Sequence, residues 1–284
     1  MSTQRNQVLS VKEARNFLIN YQGLNTVCRY TQEKGVISYF EKVGCIQYDP
    51  LNVVGRNADL TLQSRVKGYH ADMLYKLLYQ KRTVIDAWDK MMALYLQKDW
   101  PYFKRLRASK GKEIEAVLAR RNSLQALEHL DEVREHIKKH GPSQSSSIDI
   151  GVCNPGKWGS KKLASAAMDY LFNIGELGIY SKNNVQRTYE FTEKLLKKEI
   201  LEESDPFQSD DEFYEWYVKR RIGSVGMLWA CNGGGWLGHF ISDSDIRNSK
   251  IKRLLEKGEI EEFYVESVKN PFYIRSEDTE YLNK

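Results

Sequence analysis

Two polar side chains, those of Gln47 and Asp49, lie two residues apart in a short β-prone run that follows a glycine. Side chains alternate faces along an extended strand, so the amide and the carboxylate would point the same way. The proline that follows Asp49 favours an extended backbone there. A carboxylate beside an amide suits the positioning and activation of a water molecule. A turn that caps the next helix would use the same residues, and the pair alone leaves both interpretations open.

The segments around this pair are predicted mainly as helices. Ser10 and Glu13 have the spacing of a capping box, which predicts a helix over residues 10–20. Apolar residues at helical spacing predict a second helix over residues 32–43, and Gly44 is expected to end it. The polar pair would therefore follow a helix directly.

A repeated pattern follows in the second half of the chain. Helices are predicted over residues 160–174 and 245–257, and each ends in a Gly-Glu-apolar corner before an apparent hairpin. Helix, helix, glycine corner and hairpin is the order of a winged helix-turn-helix, and the corner at Gly44 is a looser copy. The expected fold is mainly α with small β-hairpins (α+β), in three tandem winged helix-turn-helix units. Their predicted bounds are 1–140, with a helical extension that carries the Gln-x-Asp motif, 141–205 and 206–284.

Composition sets limits on the class of protein. With 43 Lys and Arg against 38 Asp and Glu, the chain of 284 residues is mildly basic, which permits a polyanionic partner. No apolar run approaches the ~20 residues that span a bilayer, so no membrane partner and a cytoplasmic, nucleoid-associated location are expected. The cysteines are far apart and lack histidines at ligand spacing, which argues against a zinc site and a disulfide framework. No metal and no cofactor are expected.

A basic helix start is a candidate phosphate site. Ser160 can cap the helix that follows Trp158, and its free N–H groups with Lys157, Lys161 and Lys162 could hold a phosphate. The alternative is a solvated helix start with an anchoring tryptophan. Both interpretations fit the sequence.

Several segments together resemble one family. Residues 46–50, with 56–60 and 64–66, resemble the Gln-x-Asp/Gln-x-Gln signature region of bacterial winged-helix DNA glycosylases of the AlkZ/YcaQ type. Residues 141–189 resemble the second winged unit of that family, and the third unit fits more loosely. The resemblance covers most of the chain.

The resemblance implies removal of N-alkylated purines, such as N7-alkylguanine, from damaged or distorted double-stranded DNA, including unhooking of interstrand crosslinks, without a metal. It implies that Asp49 and Gln47 are the catalytic pair. An N7-alkylguanine is cationic and leaves as a neutral base, so its departure needs no protonated acid. One carboxylate can then stabilise the sugar or activate the water. Together with the basic helix start, it predicts DNA contacts from Arg56, Asn57, Ser64, Arg65, Lys90, Lys157, Trp158, Ser160, Lys161, Lys162 and Arg187.

Two departures from the family pattern stand out. Family members usually carry a Trp-x-His-Glu-Ala stretch, whereas Trp88 is followed here by Asp89 and by Lys90 at the histidine position. The family also continues into a C-terminal β-rich barrel, and this sequence reaches Lys284 without such a segment. The alternative function is a non-catalytic winged-helix DNA-binding or regulatory protein, and a protein–protein scaffold is a third, weaker possibility.

Overall fold

The structure is a computed structural model, and it describes residues 7–25, 30–49, 51–152 and 162–283. The chain forms two compact units. The first unit joins the residues up to Leu74 with those from Phe207 onward, and the second unit is the continuous stretch Tyr75–Pro206. Each unit has its own core. This division does not test the three predicted winged-helix units. Their number and bounds stay a prediction.

The first unit is helical, with two small sheets. Its α-helices are α1 (Val11–Tyr21), α2 (Gln32–Val43), α3 (Asn57–Gln63), the first turn of α4 (Ala71–Tyr79), α10 (Asp210–Val225) and α11 (Ser244–Glu256). Its strands are β1 (Gln7–Leu9), β2 (Tyr30–Thr31), β3 (Cys45–Gln47), β4 (Val66–Lys67), β9 (Leu228–Trp229), β10 (Ile260–Val265) and β11 (Phe272–Arg275). A turn of 3₁₀ helix, Ser276–Asn283, follows β11.

A four-stranded sheet in the order β1-β10-β11-β9 brings distant parts of the first unit together. Strand β1 runs parallel to β10, with Gln7 opposite Phe263, and β10 and β11 form an antiparallel hairpin. Phe17 and Tyr21 of α1 are fully buried against Phe263 of this sheet. The expected capping box at the start of α1 is present.

The second unit places helices around two hairpins. Its helices are α5 (Lys104–Arg120), α6 (Leu130–His140), α7 (Leu163–Ile174), α8 (Thr192–Leu195) and α9 (Lys198–Glu202), with 3₁₀ turns at Gln97–Phe103, Leu124–His129 and Ser145–Ser147. Its strands are β5 (Val84–Trp88), β6 (Met92–Leu96), β7 (Leu177–Asn183) and β8 (Gln186–Phe191). Both strand pairs are antiparallel.

Helix α7 is the centre of the second unit's core. It is apolar almost all round, as a buried helix must be, and Ala164, Ala167, Met168 and Leu171 have no exposed surface. The small alanines allow α5 to pack closely on it. The expected fold class, mainly α with small β-hairpins, is confirmed by these two units. Within the stretches that the structure describes, no helix has the length and apolar character needed to cross a membrane.

Candidate active site

A glycine corner positions the polar pair in the first unit. Helix α2 ends at Gly44, whose φ of 77° is a left-handed conformation that favours glycine. Its N–H donates to the carbonyl of Phe40 at 2.8 Å. The Arg220 guanidinium donates to the Gly44 carbonyl at 2.8 Å, and a Cβ on Gly44 would lie 3.0 Å from Arg220 Cζ. Bonds to Phe40 and Arg220 therefore fix the backbone of Gly44, from which β3 begins.

Gln47 is at the end of β3 and its side chain is exposed. The preceding Ile46 is buried and anchors the strand. The backbone carbonyl of Gln47 accepts a hydrogen bond from Asn57 Nδ2 at 2.9 Å. Among the described residues, none forms a hydrogen bond with the Gln47 side-chain amide. The backbone is thus held in place while the amide remains available to a ligand.

Asp49 is half-buried and held by a turn of its own. Its Oδ1 accepts a hydrogen bond from the backbone N–H of Leu51 at 2.9 Å. Its Oδ2 has no hydrogen bond to any residue within the described ranges. One carboxylate oxygen therefore fixes the rotamer and the other can accept a proton or a hydrogen bond from water.

Two local expectations about Asp49 are corrected by the backbone. Strand β3 ends at Gln47, so Asp49 lies beyond the strand and not on it. Helix α3 begins only at Asn57, with Arg56 as its N-cap, so Asp49 caps a turn and not the next helix.

Of the predicted DNA contacts, Arg56, Asn57, Ser64 and Arg65 belong to α3 or its ends. Arg56 is half-buried and Asn57 is exposed. Arg65 Nη1 donates to the Thr61 carbonyl at 3.0 Å and to Ser64 Oγ at 2.7 Å. These bonds close the C-terminal end of α3 and leave Ser64 exposed.

Lys90 is in the second unit, in the turn between β5 and β6, where it is half-buried. The preceding Asp89 is fully buried and its N–H donates to the Met91 carbonyl at 3.1 Å. The turn is therefore a tight one. The role of Lys90 at the histidine position of the family stays a prediction.

The remaining predicted contacts also belong to the second unit. Lys162 is exposed at the N-cap position of α7. Arg187 on β8 is half-buried, with Nη1 at 3.6 Å from Asp169 Oδ1 and 3.5 Å from the Tyr189 hydroxyl. Its ion pair with Asp169 thus connects the hairpin to α7. Four predicted contacts lie outside the described residues: Lys157, Trp158, Ser160 and Lys161.

The second unit contains a small internal cavity. Its volume is about 30 Å³, and Trp88, Asn173 and Thr192 are among its lining residues. A buried water needs roughly 10–15 Å³ of such volume, so the cavity has room for about two waters. A nucleobase does not fit in this cavity. No cluster of three metal-ligating side chains occurs within the residues that the structure describes.

Sequence reasoning missed the support of the site. Arg220 is 176 residues from Gly44 in the chain, and no local pattern connects the two. Asn57, expected to contact DNA, also holds the Gln47 backbone through a bond across ten residues. An asparagine at the start of a helix was the available signal for that second role.

Comparison with known proteins identifies the family. A family model described as DNA glycosylase AlkZ-like matches residues 40–282 of the chain. The structure of the DNA glycosylase AlkZ from Streptomyces sahachiroi has a similar fold, with a TM-score of 0.63 at 14% sequence identity. That match covers 98% of this chain and 72% of the AlkZ chain. The chain belongs to the AlkZ-like DNA glycosylase family, a family of DNA-binding repair hydrolases, and the resemblance drawn from the sequence is confirmed.

Proposed function

We propose that this member of the AlkZ-like family hydrolyses the N-glycosidic bond of N-alkylated purines in damaged double-stranded DNA. N7-alkylguanine is the proposed substrate, including guanine alkylated within an interstrand crosslink. The supporting observation is the pairing of an exposed Gln47 amide with an Asp49 carboxylate that has one engaged and one open oxygen. Both side chains are carried by a backbone that Arg220 and Asn57 hold.

The chemistry of the substrate explains why one carboxylate is enough. Alkylation at N7 makes the purine cationic, and the electrons of the C1′–N9 bond neutralise it as it leaves. No general acid is needed for departure. The sugar becomes cationic at C1′, and a fixed negative group next to it stabilises that charge. Water then adds to C1′ and loses one proton, which gives an abasic site and the free base.

Asp49 is suited to the charged part of this reaction and Gln47 to the positioning part. The open Oδ2 of Asp49 can face the C1′ cation or take the proton of the attacking water. The Gln47 amide can both donate and accept, so it can orient that water. Because no amine needs to attack C1′, we expect a monofunctional glycosylase that forms no Schiff base with Lys90.

The remaining predicted residues are proposed as contacts to the DNA backbone. Arg56 and Asn57 follow the pair along the chain, and Ser64 and Arg65 lie at the other end of α3. In the second unit, Lys90, Lys162 and Arg187 are proposed phosphate contacts, together with Lys157, Trp158, Ser160 and Lys161. Such contacts position the duplex and make binding salt-dependent.

Base release from duplex DNA with a single N7-methylguanine tests this function directly. Asp49→Asn keeps the size of the side chain and removes its charge, so we expect release to fall by about 10²- to 10⁴-fold. Asp72→Asn is the matched control, since Asp72 is an exposed carboxylate in the first turn of α4. It should release base at the wild-type rate.

The outcomes separate the candidate functions. Equal release by wild type and Asp49→Asn would remove Asp49 from the mechanism. Salt-sensitive binding without any release by the wild type would favour a non-catalytic DNA-binding protein. A covalent adduct trapped by borohydride and lost in Lys90→Met would contradict the monofunctional mechanism.

A further inference from the structure

The loop that follows Asp49 exposes apolar side chains. Leu51 is 69% exposed, Val53 88% and Val54 85%. Apolar side chains adjacent in sequence and this far out of the core form the kind of patch that marks an interaction site. We refer to residues 51–55 as the 51–55 loop. It lies in the first unit, and its first residue donates to Asp49.

Both ends of the 51–55 loop are held. At its start, the Leu51 N–H donates to Asp49 Oδ1 at 2.9 Å. At its end, Gly55 has a φ of +143°, and a Cβ there would lie 2.9 Å from Leu60 Cδ2. Across the base of the loop, Asn57 Nδ2 bonds to the Gln47 carbonyl. The loop is therefore held at both ends, and its valines are exposed to solvent between them.

The charge beside the 51–55 loop fits a polyanion. Arg56 follows Gly55 directly and is only half-buried. Within the described residues, it forms no ion pair with a carboxylate. A cation next to an exposed apolar tip matches a phosphate next to stacked bases, the chemistry of duplex DNA. A protein partner would have no need of that cation beside the glycosylase pair.

A glycosylase must also open its substrate. The reacting atom is inside the duplex, and the target nucleotide has to leave the stack before the water can reach C1′. Proteins that open or kink DNA insert apolar side chains between base steps, since such a side chain replaces the lost stacking contact. A wedge of this kind is most effective directly beside the catalytic residues.

We propose that Val53 and Val54 form a wedge that enters duplex DNA beside the target nucleotide, while Arg56 binds the adjacent phosphate. The proposal rests on the proposed glycosylase function. It assigns the 51–55 loop to opening the duplex, a step separate from the hydrolysis assigned to Gln47 and Asp49. The hydrogen bond from Leu51 to Asp49 holds the start of the loop next to the catalytic carboxylate.

Substitution of both valines by threonine tests the wedge with little change of shape. Val53→Thr with Val54→Thr replaces one methyl of each side chain by a hydroxyl, at positions too exposed to affect folding. Val8→Thr is the matched control, since Val8 is 62% exposed in β1 of the same unit. All variants are full-length chains, and each is also made in the Asp49→Asn background.

The first measurement is duplex opening without turnover. Asp49→Asn protein is added to duplex DNA with 2-aminopurine beside an N7-methylguanine, and fluorescence reports unstacking. We expect a clear rise with Asp49→Asn alone and with added Val8→Thr, and loss of most of the rise with both threonines. No rise with Asp49→Asn alone, or an equal rise with the threonines, would overturn the wedge.

The second measurement separates opening from hydrolysis. With Asp49 intact, the double threonine variant should release base from duplex DNA about tenfold more slowly, because each unstacked step has to be compensated. Release from a single strand should equal that of the wild type. Equal losses on both substrates would show that the loop supports the catalytic pair and would overturn the wedge.

The third measurement covers a different occupant of the loop. If a second copy of this chain covers the valines, sedimentation will show a wild-type dimer that the threonines dissociate without any change in opening. That result would overturn the wedge. If the wild type opens duplex DNA but releases no base, the glycosylase function fails while the wedge is retained.

Discussion

Two hairpins of the molecule, β7–β8 in the second unit and β10–β11 in the first, begin in the same way. Each follows a helix that ends at a Gly-Glu pair. The Glu176 N–H donates to the Leu171 carbonyl at 2.9 Å, and the Glu259 N–H donates to the Leu254 carbonyl at 2.9 Å. The same backbone bond thus turns the chain from helix into strand at both places.

The corner carboxylates also have matching partners. Glu176 accepts two hydrogen bonds from Arg134 of α6, at 2.6 and 2.8 Å. Glu259 accepts one from Lys219 of α10, at 3.1 Å. In both units a cation from the preceding helix holds the corner, and the guanidinium does so with a fork that an ammonium lacks.

The hairpins differ in what covers them. Strands β7 and β8 form a sheet of two, backed by the apolar helix α7, with Lys182 buried against Asp86 of β5. Strands β10 and β11 are flanked by β1 and β9. The helix behind them, α11, is joined to α10 by ion pairs that its lysines and arginine make with Asp211 and Glu215.

The same corner therefore begins two different constructions. One hairpin is supported by apolar packing and by the buried ion pair of Lys182 with Asp86. The other is supported by neighbouring strands and by ion pairs in which one partner is exposed. Access to solvent decides how much stability is lost when an ion pair is broken. A charge that loses its partner in the interior stays without water, whereas a charge at the surface is rehydrated.

The largest difference is expected between two lysines. Lys182→Met removes the ion-pair partner of the buried Asp86, and should lower the free energy of unfolding of the second unit by about 3–5 kcal/mol. Lys250→Met leaves Asp211, which is 57% exposed, in water, and should cost much less stability. Amide hydrogen exchange in β7–β8 and β10–β11 measures both. Equal costs would contradict the comparison.

A matched double variant checks the cause. Replacing Asp86 by leucine as well as Lys182 by methionine removes both charges, and most of the lost stability should return. The Tyr79 hydroxyl, which lies 3.1 Å from Asp86 Oδ2, then loses its acceptor, so recovery will be incomplete.

A smaller effect is expected at the corners. Arg134→Lys keeps the charge and loses the forked pair of bonds, so the second unit should lose about 0.5–1 kcal/mol. Lys219→Met should cost the first unit about 0.5 kcal/mol or less, because its single bond is partly solvated. Urea unfolding, monitored by amide exchange in each hairpin, ranks the two. A larger cost at Lys219 would reverse the comparison.

The smallest effect is a dependence on acid. The hydrogen bond and charge of Lys250 hold the pKa of Asp211 below its ordinary value. The folded pKa is then lower than the unfolded one, near 3.9. The stabilisation is complete above the unfolded value and is lost as the pH falls through the folded pKa. Amide exchange in α11 should therefore rise in strong acid. Lys250→Met should move the Asp211 carbon-13 titration only part of the way to its ordinary midpoint, because Arg253 still holds the pKa down.

Local structure could be predicted because the signals lie a few residues apart. Ser10 and Glu13 are three residues apart, and both of their predicted capping bonds form. Helix α2 has the predicted bounds, and Gly44 ends it. Each of these features is decided by neighbours in the sequence, whose distances are set by the helix itself.

Long-range contacts could not be predicted in the same way. Arg220 lies beneath Gly44, and Lys182 pairs with Asp86 across 96 residues. Both side chains are of types usually found at the surface. Only the tertiary fold brings these partners together, so no spacing rule identifies them.

The candidate site divides along the same line. Gln47 and Asp49 were identified by residue type, by spacing and by the family resemblance, and their catalytic role stays a proposal. The valines of the 51–55 loop have the residue type of a core strand, and their exposure became visible only in the structure. Apolar residues at functional surfaces cannot be told from core residues by composition.

The pairing of β1 with β10 has a consequence for the order of events on the ribosome. The second unit is continuous in sequence, and it can fold once Pro206 has emerged. The first unit waits for β10 and for Arg220, which is 176 residues beyond the Gly44 corner. At about 5–20 residues per second, that interval is roughly 10–35 s. During it, Gln47 and Asp49 are present in the nascent chain, but the Gly44 corner before them lacks its bond from Arg220.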